Sequence, residues 1–324
     1  MEPQLIDLHP EPADMARLVH QGMAAQPKQL PAWLLYDAEG SRLFDAICQQ
    51  PEYGLTRTET ALLETKAAEM AASFGPGVLV EFGAGSARKV GPLLAALQPP
   101  AYVPLDISGE HLAAACQTLQ AQFPKVPVLG ICCDYSALDH LPAHPLLEGQ
   151  RLLGFYPGSS LGNFTPHQAQ ALLRQFGQLL GPGARLLIGI DQPKAVDRLE
   201  AAYNDAAGLS AAFAKNLLVR LNRDLDGSFD PSTFRYQAHW QREHSRIAMA
   251  LISEQAQSVH LGGRHWSFSA GEALITEYSV KYDPQAFAGL AAAAGWRCAQ
   301  RWSDAHNDLS LHLLVRADSE ANTP

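Results

Sequence analysis

The sequence predicts a doubly wound α/β domain that carries a second, inserted α+β domain. Two observations on the whole chain allow this: 324 residues suffice for two domains, and 47% hydrophobic residues suffice for a substantial core. The third is the alternation of apolar strands with amphipathic helices over 56–191. Strands that are apolar almost continuously indicate a parallel sheet covered by helices on both faces.

The alternation begins with a long helix. Thr56 and Glu59 have capping-box spacing, and Gly75-Pro76-Gly77 ends the stretch TALLETKAAEMAASF. The predicted elements that follow are, in order, the strand VLVEFGAG, the helix ARKVGPLLAAL, the strand AYVPLDIS, the helix EHLAAACQTLQAQF, the strands VPVLGICCD and LLGFYPG, the helix HQAQALLRQFGQLL and the strand ARLLIGIDQ. This order is typical of consecutive βαβ units.

The pattern changes after Pro193. One long helical stretch over 197–221 precedes strands that alternate, and RIAMALIS places Ile247, Met249 and Leu251 on one face. Further on are a hairpin turn at Gly262-Gly263, the strand ALITEYSVKY, the helix QAFAGLAAAAG and two antiparallel edge strands, RCAQRW and LSLHLLVR. We predict one domain from 56–193 and 283–316, a second from 1–55 and 194–282, and a disordered tail over 317–324.

Composition narrows the function classes. The net charge is −9 with only 24 Lys and Arg, and no basic run is present, which disfavours nucleic acid and anionic membranes as partners. The amino terminus is acidic, and no stretch approaches the ~20 apolar residues of a spanning helix. We expect a cytoplasmic monomer that acts on a small molecule.

Cysteine and histidine spacing indicates neither disulfides nor a metal. The five cysteines are odd in number and lack CxxC spacing, so we expect reduced thiols. His140 and His144 have the spacing of two ligands on one helix, but Pro142 between them disfavours a regular helix. We therefore predict no metal.

Polar residues follow three strands of the predicted sheet, where ligands of doubly wound folds bind. Gly83 and Gly85 allow a close approach of the backbone, although Arg88 occupies the place of a third fingerprint glycine and a tight turn explains the pair equally well. Asp106, about twenty residues later, suits the two hydroxyls of a ribose or caps the next helix, a task that Ser108 could perform instead.

A third strand end supplies Asp134 and Tyr135, a carboxylate for an adenine amino group and a ring to cover the base. A glycine turn, a ribose acid and an adenine acid on successive strands suit an adenosyl ligand without a pyrophosphate, because no P-loop is present. S-adenosylmethionine (SAM) fits that description. The alternative is that these are unrelated residues of turns.

Five longer segments show a resemblance to a known family. The segments LLYDAEGSRLFDAICQQPEYGLTRTE, EFGAGSARK, FYPGSSLGNFTP, AAYNDAAGLSAAFAKNLLVRLNRDLDGSFDP and ITEYSVKY resemble, in that order, those of the L-histidine Nα-methyltransferases of ergothioneine biosynthesis. The resemblance covers roughly 31–315. It implies a class I SAM-dependent methyltransferase fold with a substrate domain, and three successive methylations of the histidine α-amine to give hercynine, with S-adenosylhomocysteine as the other product.

The resemblance also implies site residues. For the cofactor they are Gly83, Lys89, Asp106, Asp134 and Tyr135, with Lys89 opposite the cofactor carboxylate, and we add Gly85 from the glycine turn. For the amino and carboxylate groups of histidine they are Tyr36, Tyr53, Gly158, Asn163 and Tyr203, and for its imidazole Met249, Glu277 and Ser279. Tyr36 and Asn163 are expected to act in catalysis, with Tyr36 or a water relaying the proton of the amine.

The residue types suit this chemistry. A period of two places Glu277 and Ser279 on one strand face, and a carboxylate that accepts an imidazole N–H discriminates against substrates without that donor. Aromatic faces suit the quaternary ammonium product. The alternatives are a solvated strand face for Glu277 and Ser279, and ordinary packing for the aromatic residues and Met249, above all for Phe44.

Other functions stay open at this point. Gly54 and Leu55 follow Tyr53 where the family has another tyrosine and a proline, and Leu34 replaces a frequent aromatic residue, so the substrate range is open and another amino acid such as tryptophan is the second candidate. A SAM- or nucleotide-binding regulator and a dinucleotide oxidoreductase are further alternatives. The missing third glycine disfavours the oxidoreductase.

The stretch FYPGSSLGNFTP delays its helix. Thr165 and Pro166 already provide an N-cap and a first helical residue, so Asn163 is not needed as a cap. We expect the Asn163 amide to face the amino or carboxylate group of the substrate and Gly158 to let the backbone approach it.

Overall fold

The computed structural model describes residues 2–9 and 12–316. The helices are α1 (Pro12–Ala24), α2 (Ala38–Ile47), α3 (Leu55–Phe74), α4 (Gly91–Leu97), α5 (Gly109–Gln122), α6 (Pro166–Leu180), α7 (Val196–Tyr203), α8 (Leu209–Asp224) and α9 (Pro284–Ala293). The strands are β1 (Gln4–Leu8), β2 (Lys28–Gln29), β3 (Val78–Phe82), β4 (Tyr102–Asp106), β5 (Leu129–Cys133), β6 (Leu152–Tyr156), β7 (Arg185–Asp191), β8 (Phe234–Gln241), β9 (Arg246–Ser253), β10 (Gln257–Leu261), β11 (Arg264–Phe268), β12 (Ala273–Val280), β13 (Trp296–Ser303) and β14 (Leu309–Arg316).

The described residues form two compact units. Unit 1 takes the described residues of Met1–Leu8, Leu55–Pro193 and Lys281–Pro324, and unit 2 takes those of His9–Gly54 and Lys194–Val280. The predicted tail, 317–324, lies outside the described residues.

Unit 1 is built on a sheet whose strand order among the described residues is β1-β5-β4-β3-β6-β7-β14-β13. The first six strands in this order, β1 to β7, are parallel to one another. The seventh, β14, is antiparallel to both β7 and β13. Strands β3, β4 and β5 are buried along their whole length, as expected for a sheet between two helical layers. The predicted doubly wound α/β architecture is confirmed.

The amino terminus differs from the prediction. The sequence predicts that residues 1–55 belong to the second domain, but β1 pairs in parallel with β5 from Gln4 to Leu8 and extends the sheet of unit 1. Leu5 and Leu8 are exposed, so this edge strand lacks the continuous apolar pattern that identified the other strands. At the other end of the sheet β13 is an edge strand as predicted, whereas β14 lies inside, between β7 and β13.

Unit 2 contains a sheet of order β2-β12-β9-β8 and the hairpin β10–β11. The hairpin turn is Gly262-Gly263, both with positive φ, as predicted. The single long helix predicted over 197–221 is wrong, because α7 ends at Tyr203 and α8 begins at Leu209. The break has a local cause: Gly208 has a φ of +72°, and the Asp205 carboxylate accepts from Leu209 N–H and Ser210 N–H, which starts α8.

Two further features bear on the sequence predictions. Burial raises the pKa of the thiols of Cys116 and Cys132 to about 12, and all five cysteines are free. Among the described residues, no cluster of three His, Cys, Asp or Glu is placed to hold a metal, and no helix is long and apolar enough to cross a membrane. His144 lies in a loop with Nε2 2.7 Å from the Gln4 side-chain oxygen.

A buried ion pair joins the two ends of unit 1 between which 194–280 is inserted. Lys281 Nζ lies 2.7 Å from Asp191 Oδ2, and these side chains are 0% and 5% exposed. The N–H of Tyr282 donates to the carbonyl of Asp191 at 3.1 Å, next to this pair. The carboxylate and ammonium are thus both desolvated and depend on each other's charge.

We expect Lys281→Met to lower the free energy of unfolding by about 3 kcal/mol, because it removes the cation beside a buried carboxylate. Chemical denaturation followed by circular dichroism measures the change. Arg42→Met, at an exposed pair with Glu39, is the control and should unfold close to the wild-type midpoint. Equal midpoints for Lys281→Met and the wild type would contradict the prediction.

Candidate active site

The carboxyl ends of β3, β4, β5 and β6 bring four polar segments to one edge of the sheet of unit 1. Three of these segments begin directly after their strands, at Gly83, Asp134 and Pro157, and the fourth begins with Asp106, the last residue of β4. In parallel sheets this edge is where loops and helix starts leave room for a ligand. Each residue of unit 1 that the sequence predicts to contact the cofactor or the substrate lies on one of these four segments.

The turn after β3 is held by Asp106. Gly83 and Gly85 have φ values of +70° and +54°, in the left-handed region that favours glycine. Gly85 N–H donates to Asp106 Oδ2 at 2.7 Å, and Ser108 N–H donates to Asp106 Oδ1 at 2.9 Å. Burial raises the pKa of Asp106, and these N–H donors lower it in part. The carboxylate therefore joins the glycine turn to the start of α5, and each oxygen keeps acceptor capacity for a hydroxyl.

The third segment places an aromatic ring over the same turn. A Cβ added at Gly83 would lie 3.4 Å from the ring of Tyr135, so the ring lies beside this turn. The Tyr135 and Tyr156 hydroxyls are 3.1 Å apart, and burial raises the pKa of Tyr135, which keeps this phenol protonated. Asp134 Oδ1 accepts from the backbone and hydroxyl of Ser136, which fixes the carboxylate.

Glu59 also lies at this edge, in a place that is not predicted from the sequence. The capping box predicted for it is wrong, because α3 already begins at Leu55 and the Glu59 carboxylate is turned inward. Glu59 Oε2 accepts from Lys89 Nζ at 2.7 Å, and its two oxygens lie 2.9 and 2.8 Å from Gly158 N. The signal was present in the sequence: Glu59 precedes Leu62 and Leu63 at helical spacing on the buried face.

The stretch Phe155–Pro166 has the local structure that its residues predicted. Thr165 is the N-cap of α6 in a capping box with Gln168, and Pro166 is the first helical residue. A 3-10 turn over Ser160–Asn163 separates this cap from β6, and Asn163 is half-buried there. Ser159, with a φ of +55°, accepts a hydrogen bond on Oγ from Asp191 N–H at 2.9 Å. The turn is thereby tied to the end of β7.

Unit 2 collects the residues assigned to the imidazole on one face of its sheet. Met249 and Glu277 are direct partners across β9 and β12, and Ser279 pairs with Ile247 two residues along. Glu277 and Ser279 are 9% and 5% exposed, so the solvated strand face considered from the sequence is not what the structure has. The Tyr203 hydroxyl lies 2.8 Å from Ser279 Oγ and brings α7 to the same face.

An aromatic cluster also lies in unit 2. Tyr36, Phe44 and Phe213 are mutual neighbours, with ring centroids 5.3 to 5.9 Å apart. Tyr53 joins Phe44 at 6.3 Å and Tyr203 at 5.9 Å, both edge-on. Burial raises the pKa of Tyr53 well above its ordinary value, with further contributions from Tyr203 and Glu277, so its hydroxyl stays protonated.

The chemistry available differs between the units. At the carboxyl edge of its sheet, unit 1 offers backbone approach, carboxylates for hydroxyl and amino hydrogens, and the ammonium of Lys89, which suits a nucleoside with a carboxylate. Unit 2 offers a buried carboxylate with a hydroxyl beside it and a set of aromatic faces, which suits a ring with an N–H and a cation. A Cβ added at Gly54 would meet no described atom within 4 Å, so a side chain has room to begin at this position.

Comparisons with known proteins agree with one another. A family model described as "Histidine-specific methyltransferase, SAM-dependent" matches residues 15–316. The chain is 38% identical to the histidine N-alpha-methyltransferase of Mycolicibacterium smegmatis and 35% identical to that of Mycobacterium tuberculosis, in each case over 93% of this chain and 95% of the relative. It is 31% identical to ergothioneine biosynthesis protein 1 of Neurospora crassa over 90% of its own length and 33% of that protein.

Glu81, the last acidic residue before the glycine turn, shares a buried hydrogen bond with the Tyr102 hydroxyl. It is 1% exposed, and burial raises its pKa from 4.5 to about 8. A carboxyl group whose pKa is raised by folding stabilises the fold at low pH and loses that contribution as the pH rises towards the folded value.

We expect Glu81→Gln to become more stable relative to the wild type between pH 5 and pH 8, by up to about 1.4 kcal/mol per pH unit, because the amide keeps an acceptor for Tyr102 and carries no charge. Thermal melts of both proteins across this pH range measure the difference. Parallel curves for the two proteins would show that Glu81 does not titrate as described.

Proposed function

The chain belongs to the family of histidine-specific, SAM-dependent methyltransferases, and on that premise we propose that it methylates the α-amine of L-histidine three times, which yields the betaine hercynine for ergothioneine biosynthesis. The observation that carries the substrate assignment is the buried face of unit 2, where a carboxylate, a hydroxyl and a thioether stand together at Glu277, Ser279 and Met249.

The residues of unit 1 fit SAM. The positive φ at Gly83 and Gly85 leaves backbone without side chains, and no described atom lies within 4 Å of an added Cβ at Gly85. On our proposal Asp106 accepts from the ribose hydroxyls, Asp134 accepts from the adenine amino group, and Tyr135 covers the base. Lys89 binds the cofactor carboxylate as a cation. When bound, SAM supplies a methyl group already activated by the sulfonium.

Recognition of the imidazole rests on paired hydrogen bonds in unit 2. Glu277 accepts from one ring N–H, and Ser279, held by the hydroxyl of Tyr203, serves the other nitrogen. Met249 packs against the ring as an adaptable apolar wall. An amino acid without the ring donor leaves the buried Glu277 carboxylate without that bond, which disfavours its binding.

The amine end of the substrate requires a different environment. On our proposal Tyr36 and Tyr53 present aromatic faces, together with Phe44, to an ammonium that loses its N–H donors with each methylation. Tyr53 keeps its phenolic proton because its pKa is raised. It therefore serves as a hydrogen-bond donor and as an aromatic face, and not as a base. Gly158, Asn163 and Tyr203 are assigned to the amino and carboxylate groups by the same resemblance.

The chain's contribution to the rate is positioning. A neutral amine held in line with the methyl donor needs no strong base at the moment of transfer, so proximity and orientation supply most of the acceleration. Each transfer requires prior loss of one proton from the ammonium. Tyr36 or a water relays that proton towards solvent, and a Tyr36→Phe variant assayed across pH distinguishes the two. Cytoplasmic location and a monomeric state stay predictions of the sequence.

The substrate assignment is tested by incubating the protein with SAM and single amino acids, histidine and tryptophan among them, followed by mass spectrometry. We expect mono-, di- and trimethylated histidine and no product from tryptophan. Absence of any methylated histidine would overturn the proposal, and methylated tryptophan instead would select the second candidate substrate.

We expect Glu277→Gln to lower kcat/KM for histidine at least about 100-fold, because the amide presents a donor as well as an acceptor and carries no charge for the imidazole. Steady-state assays with SAM measure it, and calorimetry should find unchanged binding of S-adenosylhomocysteine. Glu254→Gln, at an exposed position just after β9, is the control with wild-type kinetics. Retention of kcat/KM within threefold in Glu277→Gln contradicts the assignment.

We expect Asn163→Ala to raise the KM for histidine about tenfold while the melting temperature changes little, because α6 is capped by Thr165 and does not need Asn163. Thermal melts and initial rates separate the two effects. A large loss of thermal stability with unchanged histidine affinity would make Asn163 a structural residue.

A further inference from the structure

Glu59 is a fully buried acidic residue of unit 1. Its side chain is 0% exposed, whereas that of Lys89, its partner at 2.7 Å, is 18% exposed. Both carboxylate oxygens also lie within 2.9 Å of Gly158 N. One carboxylate therefore binds the turn after β3 and the turn after β6 at the same time.

The surrounding backbone is shaped for this carboxylate. A methyl group at Gly189, in β7, would overlap Glu59 Oε1. Gly158 has a φ of +81°, and a methyl group there would stand 3.3 Å from Lys89 Nζ and 3.2 Å from Ser160 Oγ. Two glycines thus provide the space in which Glu59, Lys89 and the Gly158 amide meet.

An arrangement made only for stability would not need this charge. A buried ion pair is seldom better than apolar residues of the same size, because desolvation offsets the attraction. The pair instead fixes the direction of an ammonium: Glu59 accepts from one of its three N–H donors, two further donors can serve a ligand, and the Lys89 side chain is 18% exposed. The same carboxylate fixes the peptide plane at Gly158.

We infer that Glu59 is a positioning residue, which orients the ammonium of Lys89 and the backbone of Gly158 for ligands that carry a carboxylate. The inference rests on the proposed assignment of Lys89 to the carboxylate of SAM. It goes beyond that assignment because Glu59 touches no ligand and acts through its two partners. Loss of the Glu59 charge then raises the Kd of a ligand with an amino-acid carboxylate but not that of a nucleoside that lacks one.

The test compares two ligands by calorimetry. S-adenosylhomocysteine carries an amino-acid group with its carboxylate on sulfur, and methylthioadenosine is the same nucleoside thioether with a methyl group in place of that whole group. In Glu59→Gln we expect the Kd for S-adenosylhomocysteine to rise about tenfold or more and the Kd for methylthioadenosine to stay within twofold. Equal Kd values for S-adenosylhomocysteine in variant and wild type, or an equal loss for both ligands, overturn the inference.

Two controls accompany this variant. Glu69→Gln removes an exposed carboxylate from the same helix and should leave both Kd values unchanged.

Lys89→Met distinguishes failure of the Lys89 assignment from failure of the inference about Glu59. Unchanged affinity for S-adenosylhomocysteine in Lys89→Met contradicts the proposed place of the cofactor carboxylate. A loss in Lys89→Met without a loss in Glu59→Gln contradicts only the role of Glu59.

A second variant reaches Glu59 from β7. Gly189→Ala displaces the carboxylate without changing its charge and should produce the same ligand-selective loss, whereas Gly289→Ala, whose added methyl group has no described neighbour within 4 Å, should not. Circular dichroism verifies the fold of each variant. If both Glu59→Gln and Gly189→Ala fail to fold, Glu59 is a structural residue and the inference is overturned.

Discussion

The burial of carboxylates at one edge of an apolar sheet is the constraint on which unit 1 depends. Glu59, Glu81, Asp106 and Asp191 are each at most 9% exposed. A buried carboxyl group requires a cation, N–H donors or a proton, and all three solutions occur among these four groups. Lys89 and Lys281 supply cations, backbone amides serve Asp106, and Glu81 keeps its proton at neutral pH because its pKa is raised. The loops at this edge are held by those partners.

The elements that a local pattern determines could be predicted from the sequence, and those that depend on distant partners could not. The apolar strands β3 to β7 and the Thr165-Pro166 start of α6 follow from periodicity and capping chemistry. β1 is five residues long and largely exposed, and its partner strand β5 is more than a hundred residues away in sequence. The break between α7 and α8 could not be predicted from periodicity, because the helical pattern continues through it and the break depends on Asp205 and Gly208.

The candidate site divides in the same way. Residues at strand ends, such as Asp106 and Asp134, are visible because parallel topology sends strand ends to one edge. The pairing of Met249 with Glu277 follows from a register that depends on a bulge after Ile275, which no single strand reveals. The role of Glu59 could not be predicted because its position fits two local patterns, a capping box and the buried face of a helix. Only its tertiary contacts with Lys89 and Gly158 distinguish the two.

The position of β14 between β7 and β13 also affects how the chain folds as it leaves the ribosome. β7 is complete at Asp191, but the strand that covers its second edge begins only at Leu309, after the whole of 194–280 has been made. At about 5 to 20 residues per second, a nascent chain leaves this apolar edge open for several seconds or longer. An open strand edge is a template for wrong pairing, so chaperone binding at this stage would protect the nascent chain.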